Sequence, residues 1–164
     1  MHKINLKSTN RKKVIVATLL IIFFGFTTIL FPLLLMYIIP ESGLGYYFLD
    51  HINYTLMLVP LLIYFSVTGV YYYKIKIDPY IINITSYRTI SGFFQKTDFV
   101  DISHDMIKQF SFFNRSFTFN KTLMIKIETG NGKKIAKRFN LSLLPKREEL
   151  RIAKVLEQII AKNS

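Results

Sequence analysis

Two stretches of this chain, residues 14–40 and residues 52–73, contain no Asp, Glu, Lys or Arg. An apolar run of about 18 or more residues reads as a transmembrane helix, because about 20 helical residues cross a hydrocarbon core roughly 30 Å thick. Residues 14–39 (VIVATLLIIFFGFTTILFPLLLMYII) exceed that length, and at about 1.5 Å per residue they reach about 39 Å, which calls for tilt or a kink. Pro32 is the expected kink. Residues 52–73 contain Pro60 and close on Tyr71, Tyr72 and Tyr73, amphipathic rings of the kind that gather at the membrane–water boundary. The five basic residues before position 14 resemble a secretory leader, but the apolar run is too long for one and no small-x-small cleavage pattern precedes Glu41. Two uncleaved spans, about 14–39 and 52–73, are therefore expected.

Charge orients them. The first 13 residues carry Lys3, Lys7, Arg11, Lys12 and Lys13 and no acid, whereas the connector over residues 40–51 carries only Glu41 and Asp50. The rest of the net charge of +12 lies from Lys74 onward. Lys and Arg in short flanks stay on the cytoplasmic side, so both termini are expected there. The expected organisation is a basic cytoplasmic arm (1–13), a two-helix transmembrane hairpin (14–73) and a cytoplasmic domain (74–164), with the turn near Ser42-Gly43-Leu44-Gly45. A multi-pass protein of a bacterial inner membrane fits this pattern. The spans carry no charge, and the polar groups along them include Thr18, Thr27, Thr28, Ser66 and Thr68. Such groups satisfy their own helix or a neighbour, and the hairpin reads as an anchor and a surface for assembly.

From Lys74 the period changes to two. Strands are expected over residues 74–78, 80–85, 87–94, 97–102, 106–113, 122–128 and 133–139, rich in Ile, Phe, Tyr and Thr. Asn131-Gly132 between the last two is a hairpin signal, since a primed turn needs positive φ at its centre. Pro145, with Glu148 and Glu149 just after it and Lys162 at the far end, brackets a helix over about 145–162. Its apolar face is Ile152, Leu156, Ile159 and Ile160, with Ala153 alongside.

Strands followed by one amphipathic helix, behind an apolar hairpin, resemble the bacterial pleckstrin-homology-like (PH-like) domains that follow a two-helix membrane hairpin. The resemblance lies in the order of elements and in the texture of TLMIKIETGNGKKIAKRF and LSLLPKREEL. It implies a membrane α-helical hairpin followed by an α+β PH-like domain, an antiparallel β-roll with one C-terminal helix. It also implies a non-enzymatic interaction module for anionic lipid headgroups or a protein partner at the inner membrane surface. The basic cluster that eukaryotic relatives use for phosphoinositides is thin here, with Lys74, Lys76 and Arg88 interrupted by Asp78-Pro79.

Reactive groups are few. The chain has no Cys, which excludes disulfides, thiol catalysis and Cys-based metal sites. His104-Asp105 has no second His in the tail and no metal-ligand or triad spacing, and reads as a polar turn. Gly130-Asn131-Gly132-Lys133 lacks the Gly spacing and the Lys-Ser/Thr end of a phosphate loop. No catalytic residue, cofactor or metal is expected. The expected anionic-surface contacts are Lys133, Lys134, Lys137 and Arg138 on one hairpin and Arg147, Arg151 and Lys154 on the helix. The expected partners are the membrane, anionic lipid, and other membrane proteins or a second copy. Nucleic acid is not expected, because alternating Phe in strands is core. The alternative role is a structural or accessory subunit of a larger membrane complex.

Overall fold

The computed structural model describes residues 5–38, 43–89, 98–114, 116 and 118–163. The chain forms two units: residues up to Val14 together with Val70 onward, and an apolar insert, Ile15–Gly69. In outline it has an apolar helix near its N-terminus, then two antiparallel sheets and a C-terminal helix.

The insert is helical. Helix α1 (Arg11–Gly25) passes through a π-helical turn (Phe26–Leu30) into α2 (Phe31–Ile38), and α3 (Gly43–Asp50) and α4 (Ile52–Thr68) follow. The wide turn lies just before Pro32, where the proline ring would clash with a carbonyl one turn back and has no N–H to return. Thr27 and Thr28 donate their hydroxyls to Phe23 O (2.9 Å) and Phe24 O (2.5 Å), so the expected kink region keeps its polar groups satisfied. Among the described residues, one helix, Arg11–Leu35, is long and apolar enough to cross a membrane.

The second run departs from expectation at both ends. Residues 43–50, expected within the short connector over residues 40–51, are helical. The apolar stretch of α4, Leu56–Thr68, is shorter than the expected span. Gly69, at φ 69°, ends α4 in a conformation that only glycine adopts cheaply. Beyond it Tyr71–Tyr73 are strand, not the aromatic end of a helix. Alternation explains why: Tyr73 is buried with Ile75 and Ile77, while Lys74 and Lys76 point out.

The first sheet has the order β1-β2-β3-β4, from Leu6–Thr9, Tyr71–Ile77, Ile81–Arg88 and Asp98–Ser103. Leu6–Thr9, read from sequence as part of a free basic arm, thus forms an edge strand, with Leu6 opposite Ile77 and Thr9 opposite Lys74. Leu6 and Ser8 are buried while Lys7 and Thr9 are exposed, the period of a half-buried strand. Much of the expected strand over residues 87–94 lies outside the described residues; β3 ends at Arg88. The second sheet is β5-β6-β7, from Ile107–Asn114, Asn120–Glu128 and Lys134–Ser142.

The β6–β7 connection corrects the expected two-residue turn. Thr129 N–H donates to Lys133 O (3.0 Å) and Gly132 N–H to Thr129 O (2.8 Å), and only Gly132 takes positive φ. This is a three-residue loop with one left-handed residue, which needs no positive φ at Asn131.

Helix α5 (Lys146–Asn163) closes the core as expected. Ile152, Leu156 and Ile159 are almost fully buried against a cluster that includes Ile75, Ile84, Leu123, Ile125 and Phe139. Glu149, in its first turn, is also buried, held by Lys121 and by Lys146 (3.2 Å). Burial pushes the Glu149 carboxyl up, but hydrogen bonds from Lys121 and Lys146 outweigh it and hold the group below its ordinary 4.5. Its contribution is present above 4.5 and lost as pH falls through the lower folded value. Glu149→Gln is therefore expected to melt with a shallower acid dependence below about pH 4.5 than the parent. Parallel acid profiles in thermal melts would show that the carboxylate adds nothing.

Candidate anion-binding surface

Core residues alternate along β7: Phe139 and Leu141 face inward, so the even positions face out. This rule divides the basic hairpin. Lys134 and Arg138 share the outer face, Lys137 lies on the opposite face, and Lys133 is in the loop. All four are exposed.

Register adds residues that sequence reading passed over. Lys126 sits opposite Ala136, between Lys134 and Arg138, and Gln109 lies across from Lys126 on β5. A register shift between Ile107 and Gln109 places Lys108 beside Glu128, 3.9 Å away, while Glu128 also faces Lys134 across β7. These side chains line an open groove of about 550 Å³, with Ala136 among its lining residues. Three lysines and one glutamate leave it with a net positive charge. Lys126 carried a readable signal, since it alternates with Ile125 and Ile127 in TLMIKIE. Lys108 carried none, because a bulge breaks the alternation that would aim it.

The helical residues stand apart. Arg147, Arg151 and Lys154 are exposed along one stripe of α5, and Arg151 lies 3.9 Å from Glu148. Helix α5 covers the inner face of the second sheet, as the Lys121–Glu149 pair marks, so the core lies between this stripe and the groove. The seven expected contacts therefore fall on separate surfaces.

His104 occupies a short 3₁₀ turn (His104–Met106), where its backbone N–H donates to Tyr80 O (3.0 Å). Its Nε2 is buried with no hydrogen-bond partner among the described residues. Burial and the Lys162 charge push the imidazole pKa down, against a smaller opposing pull from Asp105. A neutral ring is thus favoured near pH 7. Among the described residues no three His, Cys, Asp or Glu side chains gather to hold a metal ion.

A buried polar knot lies at the other end of β7. Asn10, 3% exposed, donates Nδ2–H to Tyr71 O and Ser142 O, both at 2.8 Å, and its Oδ1 accepts from Tyr73 N–H at 2.9 Å. Ser142 Oγ accepts from Tyr71 N–H at 2.7 Å and donates to Asn120. One side chain immediately before α1 thereby ties β2 to the last strand.

No known protein family matches this chain, and neither does any curated protein or solved structure.

Proposed function

We propose that this protein is a membrane-anchored, non-enzymatic interaction module whose basic groove receives an anionic group at the cytoplasmic face of a bacterial inner membrane. The observation that carries the anchoring is the pairing of β1 with β2. The chain leaves the domain at Asn10 and returns at Tyr71, and the two are hydrogen-bonded to each other. An insert that departs from and returns to one folded body crosses a bilayer an even number of times. With α1 and α2 providing the long apolar helix, α4 is then the second pass of a two-helix hairpin. Within the insert α1 and α4 are neighbours, since a Cβ at Gly25 would make ordinary contact, at 4.0 Å, with the Leu62 side chain on α4. The basic flank before α1 assigns both junctions to the cytoplasm.

Four strands, then three, then a C-terminal helix support the PH-like reading of the domain. The N-terminal strand completes that count of seven. Lys108, Lys126 and Lys134 converging on one groove support an anionic ligand, for which phosphate-bearing headgroups are the first candidates.

Each lysine near an anionic surface contributes about 1 kcal/mol. The full chain in phosphatidylcholine nanodiscs, titrated with glycerol 3-phosphate, is expected to bind weakly and less well as salt rises. Neutralising two of the lysines, in Lys126→Ala/Lys134→Ala, is expected to cost about 2 kcal/mol, or roughly thirty-fold in Kd. Binding indifferent to salt and to both substitutions would sink the headgroup reading and leave an acidic protein segment as the ligand to test.

A further inference from the structure

The end of the domain at which the chain departs for the insert carries aromatic side chains that its core does not use. Phe119 is 62% exposed and Phe113 is 49% exposed. Both lie near the turn between β5 and β6, and the hydrogen bonds fix where that turn is. Phe119 O accepts from Leu143 N–H at 3.0 Å, and the next residue, Asn120, is bonded to Ser142. Ser142 in turn holds Tyr71 and Asn10, the two residues beside the chain's points of departure and return. Phe113 pairs with Thr122, which faces Asn140 on β7, two positions from Ser142. Tyr87 and Tyr72 lie in tilted ring contact at the same end of the first sheet, with ring centroids 4.8 Å apart. Arg11, Lys12 and Lys13 stand exposed at the start of α1.

We infer that this end of the domain lies in the bilayer interface, with Phe113 and Phe119 set among the lipid headgroups. Exposed rings beside lysine and arginine, at the place where a chain turns into an apolar helix, form the composition that membrane–water boundaries select. Phenylalanine rings gain by leaving water, and segments lying in the interface pair Phe with Lys and Arg. The opposite end also exposes an aromatic ring, Tyr80 at 78%, but it lies far from the point at which the chain enters the insert. The Asp78–Tyr80 turn stands about 20 Å along β2 from Tyr71, and Lys134 about 26 Å along β7 from Ser142, at about 3.3 Å per residue. The inference rests on the membrane reading of the insert, and it adds a second attachment, made by the domain itself. A second copy of the chain on the same rings is the competing occupant.

The chain contains no Trp, so a single introduced Trp reports its own surroundings. Phe119→Trp and, independently, Phe113→Trp would be prepared in the full chain and reconstituted in vesicles of phosphatidylcholine and phosphatidylglycerol carrying quenchers at defined depths. Leu20→Trp, in the insert, and Tyr80→Trp, at the far turn, serve as references. Emission at 119 and 113 is expected to shift to the blue and to be quenched most by labels near the headgroup. At position 20 the deep labels are expected to quench most, and at position 80 none. Quenching at 20 together with none at 119 and 113 overturns the inference and leaves the anchor standing. No quenching at 20 removes the membrane reading and the inference with it. Blue-shifted emission at 119 without lipid quenching assigns the ring to contact with a second copy of the chain, and also overturns the inference.

Discussion

Asn10→Ala is expected to destabilise the folded domain by about 3–5 kcal/mol, because three buried backbone groups lose their partner together. Those groups are Tyr73 N–H, Tyr71 O and Ser142 O, and alanine can answer none of them. An unsatisfied buried polar group costs about 1–3 kcal/mol, with carbonyls at the low end since each retains a second lone pair. Against a typical total of about 5–15 kcal/mol, this is a large fraction of what holds a domain together. A fall of roughly 15–25 °C in melting temperature would accompany it in the full chain, followed by circular dichroism in detergent. Asn10→Asp should be nearly as severe: it keeps an acceptor for Tyr73 N–H but sets a carboxylate against two carbonyls. Lys12→Ala, at an exposed position two residues on, is the control and should change little. A loss below about 1 kcal/mol in Asn10→Ala would mean that the N-terminal segment is not clasped as described.

The second large effect concerns where the domain can be cut. Residues 70–164 alone lack β1, the side chain of Leu6 and the three hydrogen bonds of Asn10. Leu6 is 2% exposed, and deleting a buried leucine side chain typically costs about 2–5 kcal/mol. The fragment would also bare the edge of β2, whose unpaired backbone groups invite association with another chain. It is expected to be poorly folded and to aggregate. Joining Val14 to Val70 through a short Gly/Ser linker should restore a stable, soluble, monomeric domain, because the insert is spliced between two strands already paired. Sedimentation velocity and circular dichroism on the two chains distinguish the outcomes. Equal folding of both would show that β1 is dispensable.

Much of the domain could be read locally. Ile152, Leu156 and Ile159 recur at helical spacing, and Pro145, Glu148, Glu149 and Lys162 mark the ends of the helix they form. Alternation over residues 74–77 and 125–128 states which side chains face the core. The same alternation predicts that Lys134 and Arg138 share a face. Error entered where one signal masked another. Tyr71–Tyr73 follow an apolar helix without an intervening charge, so hydropathy merges them with it, although Gly69 breaks the helix first. Leu6–Thr9 is too short to stand out, and its neighbours Arg11, Lys12 and Lys13 present a more obvious meaning as a topology signal.

The groove shows the limit from the other side. Lys108, Lys126 and Lys134 are spread over 27 residues, and a bulge aims the first of them. Strand periodicity can say that a lysine points outward, but not which lysine on another strand stands beside it.

The two uncharged stretches, the amphipathic helix and the inward faces of the strands were determined by sequence alone, because each depends on the spacing of near neighbours. Tertiary structure alone decided that residues 6–9 join residues 74–77 across the apolar insert, that Asn10 locks both to Ser142, and that three separated lysines line one groove. Those facts depend on which edges and buried polar groups complete one another over long separations. Closing a long loop adds little entropy beyond closing a moderate one, so the partners at its ends, not the distance along the chain, decide the pairing.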